Sequence, residues 1–201
     1  LNLSLIGEDI AGLLTLLFAP GALEPGGTVD QLLEDSQRFA TDIGKRLRDR
    51  IYLRAVPSLA TSLARKQSTA DSHPTSEQMD FYYEQAMLVL FRILFVAYAE
   101  DRDLLPYRTN GDYKDHSLKH RAERLTIRVQ DSGDGENNFA SNQSNLWDEL
   151  NALWKAVDKG NTEWNVPPYN GGLFDNDPDV RPAGAALAAI SLTNAEFGPA
   201  L

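Results

Sequence analysis

The stretch Ala86 to Ala99, AMLVLFRILFVAYA, decides the fold. It is apolar nearly all round, holds few β-branched residues, and contains neither Gly nor Pro. A helix of that kind buries itself on most sides. It is also shorter than the roughly 20 apolar residues a membrane span needs, and Arg92 interrupts it. It therefore reads as the central core helix of a cytoplasmic protein. Upstream, Thr75 and Gln78 fit a capping box, in which a Thr side chain and a Gln three residues later satisfy each other's backbone N–H groups. The predicted helix runs from about Ser76 to Asp103 and ends at Leu105-Pro106.

Outward from this helix, the pattern stays helical. Residues 8–19 form a short helix stopped by Pro20-Gly21. From Val29, the apolar residues Leu32, Leu33, Phe39, Ile43, Leu47, Ile51 and Leu59 recur at spacings near three and four. Pro57 lacks an N–H and is expected to break this run near Ala55–Val56. SLKHRAERLTIRV reads as a helix, although its LTIRV portion also has strand character. NLWDELNALWKAVDKG is amphipathic, with Leu146, Trp147, Leu150, Leu153, Trp154 and Val157 on one face and Gly160 as its cap. PAGAALAAI makes a short helix, and Thr193 and Glu196 fit a second capping box. Polar loops fall near residues 67–75 and 131–144. The expected fold is all-α: one helical domain over residues 1–201, an irregular multi-helix bundle around a long buried central helix. The chain starts at Leu1, and its last helix begins as the sequence stops, so a piece of a longer protein is expected.

Composition bounds the function. The 201 residues carry a net charge of −10, with 42% hydrophobic and 24% charged residues and no cysteine. Thiol chemistry and cysteine metal sites are excluded. The acidic balance argues against autonomous DNA binding, where phosphate neutralisation dominates affinity. Basic residues do cluster locally. Arg46, Arg50 and Arg54 share one helix face, while Lys119, Arg121, Arg124 and Arg128 crowd another helix. They are the candidates for DNA-backbone contact; a solvated face is the plainer reading.

Several stretches imitate catalytic motifs. Asn165-Val166-Pro167-Pro168-Tyr169 is one residue longer than the Asn-Pro-Pro-Tyr loop of amino-methylating DNA enzymes. Asp131-Ser-Gly133-Asp-Gly135 resembles a methyltransferase cofactor loop. Such a fold needs several parallel strands, which the sequence does not supply. His73, His116 and His120 lack a further ligand for zinc. No Glu-x-Lys nuclease element and no nucleotide phosphate loop occurs. Arg92 needs a carboxylate partner if buried, for which Asp175 or Glu149 is expected, so Arg92→Leu should be tolerated better than Asp175→Leu. Glu100, Asp101, Arg102 and Asp103 crowd one helix end and read as a cluster that satisfies itself. Asn170-Gly171-Gly172 supplies a tight turn, its glycines free to take positive φ.

Three elements in order carry a resemblance: LFRILFVAYAEDRDLLP (Leu90 to Pro106), Leu146-Trp147-Asp148-Glu149-Leu150, and PPYNGGLFD (Pro167 to Asp175). From about Val29 onward the chain resembles single-chain type IIG restriction–modification enzymes and the related large adenine-specific DNA methyltransferases of phage-exclusion systems. The resemblance implies a helical connector between an N-terminal or nuclease region and the methyltransferase domain, with the true catalytic loop beyond Leu201. Its marked residues are Arg92, Glu100, Asp101, Arg102, Tyr169, Asn170, Gly171, Gly172, Phe174 and Asp175. It implies no catalytic residue, metal or cofactor in this segment. The parent would transfer a methyl group from S-adenosylmethionine to adenine N6, and the partners would be adjacent domains of the same chain. The alternatives are an independent protein-interaction module and a methyltransferase catalytic fragment.

Overall fold

The computed structural model describes residues 8–68, 74–132 and 139–200, without the side chains of residues 8–11, 15, 128–129 and 131–132. The described residues are mainly helical and contain no strand, only an isolated bridge between Asn161 and Val166. LTIRV is helical, which removes the strand that the cofactor-loop reading needs. Gly133 and Gly135 of that loop lie outside the described residues.

The chain divides into two compact units, residues 1–50 and 51–201. The first holds α1 (Glu8–Phe18) and α2 (Thr28–Arg50). Pro20 and Gly21 end α1 as expected, with Gly21 at φ 85°. Gly27 fits where a Cβ would lie 2.2 Å from the Gly21 carbonyl oxygen, so only glycine closes this turn. Among the described side chains of the unit, Ala22 alone is buried, and α2 has no buried residue.

The second unit holds the core. A π-helical segment, Ile51–Ala55, leads into α3 (Val56–Gln67), with Pro57 in its first turn. The disruption falls where Pro57 withholds its N–H from the preceding turn. The Thr75–Gln78 capping box then opens α4 (Ser76–Asp101). The remaining helices are α5 (Gly111–His116), α6 (Leu118–Ser132), α7 (Asn145–Lys159), α8 (Pro182–Ala188) and α9 (Asn194–Phe197), followed by a 3-10 turn at Gly198–Ala200. The Thr193–Glu196 box caps α9 as predicted. Gly160 ends α7 with φ 82°.

Helices α3, α6 and α8 pack on α4. The core joins Leu63 of α3 and Ala86, Val89, Val96 and Ala99 of α4 to Trp147, Leu150 and Leu153 of α7, Leu187 of α8 and Phe197 of α9. Trp147 meets Trp154 and Phe197 edge to face at 5.9 and 5.1 Å, and its indole N–H donates to the Ile190 carbonyl at 3.0 Å. Helix α4 is covered on most sides, as expected, and leaves one stripe open. Tyr83, Phe91, Leu94 and Tyr98 are each at least 42% exposed. By length and composition alone α4 could cross a membrane, but its buried face carries Gln85, Arg92 and Glu100.

Candidate functional site

Two buried charges on α4 organise the motif residues. Arg92 is 2% exposed. Its Nε donates to the Leu173 carbonyl at 2.9 Å, and one terminal nitrogen donates to the Asp175 carbonyl at 3.2 Å and to Asn176 Oδ1 at 2.9 Å. The guanidinium lies 5.5 Å from the Trp154 ring centre and 5.8 Å from that of Phe174. The expected carboxylate partners are therefore corrected. Asp175 contributes its backbone oxygen, while its Oδ1 accepts from the Asp177 N–H at 2.9 Å. Glu149 pairs with Arg121 instead. Burial, followed by the charge of Arg181, lowers the Arg92 pKa to about 10. A fork of N–H donors matches a curved run of carbonyls as readily as a carboxylate. Gly184 of α8 permits this fit, since a Cβ there would stand 2.2 Å from the Asp175 carbonyl oxygen.

Glu100 is fully buried. Its Oε1 accepts from the Tyr113 hydroxyl and the Leu118 N–H, both at 2.8 Å, and its Oε2 accepts from the Lys119 N–H at 3.0 Å. Ser117 Oγ accepts from the His120 N–H at 3.2 Å, and the Ser117 N–H bonds the Lys114 carbonyl at 3.1 Å. The first four N–H groups of α6, which a helix leaves without partners of its own, are thereby all satisfied. The carboxylate also lies at the positive end of the helix dipole. Burial and then Glu100 push the Tyr113 hydroxyl pKa far up.

The expectation of a cluster at 100–103 that satisfies itself is corrected by these contacts. Asp101 pairs with Lys119 Nζ at 2.6 Å, which holds its carboxyl below the usual range. Arg102 stacks over Tyr98 at 5.5 Å. Asp103 takes positive φ, 54°, and pairs with Arg108 at 3.2 Å.

The 165–175 segment is a strap held down by backbone and side-chain contacts. Asn161 and Val166 exchange backbone hydrogen bonds, each 2.8 Å. Val166, the extra residue relative to Asn-Pro-Pro-Tyr, is 4% exposed and belongs to the core. The Tyr169 hydroxyl donates to the Leu104 carbonyl at 2.6 Å. Phe174 is buried and meets Phe95 edge to face at 5.4 Å. The turn works differently from expectation: Asn170 takes the positive φ, 45°, and neither Gly171 nor Gly172 does. A Cβ on either glycine would meet nothing within 4 Å.

The candidate DNA contacts divide. Arg46 and Arg50 are exposed near the end of α2, with Arg46 paired to Asp42 at 2.6 Å. Arg54 is exposed on the π segment, and Arg124 is exposed on α6. Arg121 is corrected: it is 8% exposed and committed to Glu149 and the His116 carbonyl. Lys119 is half-buried and bound to Asp101. The Arg128 side chain lies outside the described residues.

His116 packs against Trp164 at 4.5 Å, while His73 lies outside the described residues. Among the described residues, no group of three His, Asp or Glu side chains gathers at metal-binding spacing.

Sequence reasoning missed Asn176, Tyr113 and Gly184, which complete the two clamps. Asn110 caps α5, accepting from the Tyr113 N–H at 2.9 Å. No family model, curated protein or solved structure matches this chain.

Proposed function

We propose that this chain is a non-catalytic helical connector of a larger restriction–modification or adenine-N6 DNA methyltransferase protein. One observation carries this reading. The three ordered motifs that motivate the resemblance are used as internal cross-links. Arg92 grips the 173–176 strap, Tyr169 ties the strap to Leu104, and Glu149 of the middle motif pairs with Arg121. Residues spent on fixing segments to one another suit a scaffold that holds neighbours in register. The exposed Tyr83, Phe91, Leu94 and Tyr98 on α4 add an apolar face of the kind a neighbouring domain covers.

In this reading the methyl donor S-adenosylmethionine belongs to the adjoining domain, in the cytoplasm, and DNA contact falls to Arg46, Arg50, Arg54 and Arg124. Calorimetric titration of the chain with S-adenosylmethionine should give no binding heat. Saturable binding at one site would overturn the proposal in favour of a catalytic fragment. The same α4 face also favours a second reading, an independent protein-interaction module. Alanine replacement of Phe91 and Leu94 in the parent separates the two. Loss of methylation with cofactor binding intact supports the connector, and unchanged methylation supports the module.

A further inference from the structure

Within the 1–50 unit, helix α2 has an apolar stripe with nothing buried in it. Leu32, Leu33, Phe39, Ile43 and Leu47 are 44–69% exposed and fall at helical spacing on one face, with Ser36 and Ala40 between them. A helix rarely holds such a stripe in water uncovered, because packing of the apolar face supplies most helical stability in proteins. Its charges are polarised. Asp30, Glu34 and Asp35 dominate the N-terminal half; Lys45, Arg46, Arg48 and Arg50 dominate the C-terminal half.

We propose that α2 pairs antiparallel with α2 of a second copy of this chain. The charge distribution favours this occupant, because an antiparallel pair sets each acidic half against a basic half. A parallel pair would set like against like. A two-fold axis between Phe39 and Ala40 brings Leu32 against the partner's Leu47 and Ser36 against the partner's Ile43. The same register places Asp35, on the edge of the stripe, beside the partner's Arg46. Asp35 and Arg46 now make only exposed contacts within their own helix, to Arg38 and Asp42, which are worth little. The pairing is independent of the connector reading.

Sedimentation equilibrium of the 201-residue chain, from about 1 to 200 μM, tests the proposal. The expected result is a reversible dimer with a dissociation constant on the order of micromolar. Phe39→Glu with Ile43→Glu should weaken it at least a hundredfold. Arg46→Asp should weaken it roughly fivefold, since it replaces two symmetric attractions with repulsions. Combining Asp35→Arg with Arg46→Asp should restore wild-type affinity, as only an antiparallel register brings the two reversals together. A monomer throughout the range overturns the proposal, as does a dimer insensitive to the stripe variant or one that the double reversal fails to restore.

Discussion

Arg92 and Glu100 stand two turns apart on the same helix, carry opposite charges, and are both buried. Neither relies on a counter-ion for its hydrogen bonds. Arg92 donates to two carbonyls and a side-chain amide, so it fixes a strap that has no regular structure of its own. Glu100 accepts from a phenol and two amides, so it fixes the start of a helix. Each charge is matched to the backbone polarity of the segment it anchors. A loop offers outward carbonyls, whereas a helix N-terminus offers N–H groups. The difference teaches that a buried charge can serve as a backbone staple, with its sign chosen by what is stapled.

The sharpest break comes at Glu100. Glu100→Ala should cost about 3–5 kcal/mol, because it strands a buried hydroxyl and two helix-end amides together. Urea unfolding followed by tryptophan fluorescence reads this, since all three tryptophans lie in the 51–201 unit. A loss under about 1 kcal/mol would remove Glu100 as the α6 anchor.

Arg92→Leu should come next, at about 2–4 kcal/mol, since three acceptors lose a charged donor. Asn176→Ala removes one of those acceptors and should cost about 1–2 kcal/mol. An Asn176 effect as large as that of Arg92 would mean that the carbonyls contribute little.

The Tyr113 hydroxyl gives a smaller effect with a distinctive pH signature. Its pKa is raised in the native state above the ordinary value of 10.0. Below pH 10 both states keep the proton and the contribution is complete. Above it the unfolded chain releases the proton while the native chain retains it, so stability falls as pH rises. Lys119, whose pKa is raised by Asp101, acts in the same direction. Arg92, lowered to about 10, acts in the opposite one. Comparing wild type with Tyr113→Phe isolates the phenol. The variant should lose about 1 kcal/mol at pH 8 and show a flatter decline from pH 9.5 to 11. Parallel declines would place Tyr113 outside the coupling.

These contrasts also explain what the sequence made legible. The helices were readable because periodicity, proline and capping pairs act locally: Thr75–Gln78, Thr193–Glu196, Pro57 and Gly160 all do what their residue types dictate. The importance of Arg92 was readable too, since a cation in an apolar helix demands a partner. Its partner was not. A buried cation calls first for a carboxylate, whereas carbonyls are present at every residue and so leave no mark in a sequence. Glu100 was misassigned for a related reason: the amides that bind it belong to Leu118 and Lys119, whose side chains say nothing of it. The exposed stripe of α4 escaped because an apolar composition does not tell which side a neighbour covers.

The most direct test is the stability of Asp175→Leu beside Arg92→Leu, both read from tryptophan-monitored urea unfolding. With the Arg92 cation hydrogen-bonded to two backbone oxygens and Asn176, Asp175→Leu removes a turn bond to the Asp177 N–H and a longer-range attraction of the carboxylate for the cation. It should cost about 1 kcal/mol or less, well below Arg92→Leu. An Asp175→Leu loss equal to or greater than that of Arg92→Leu would contradict this, showing that the carboxylate carries the cation after all.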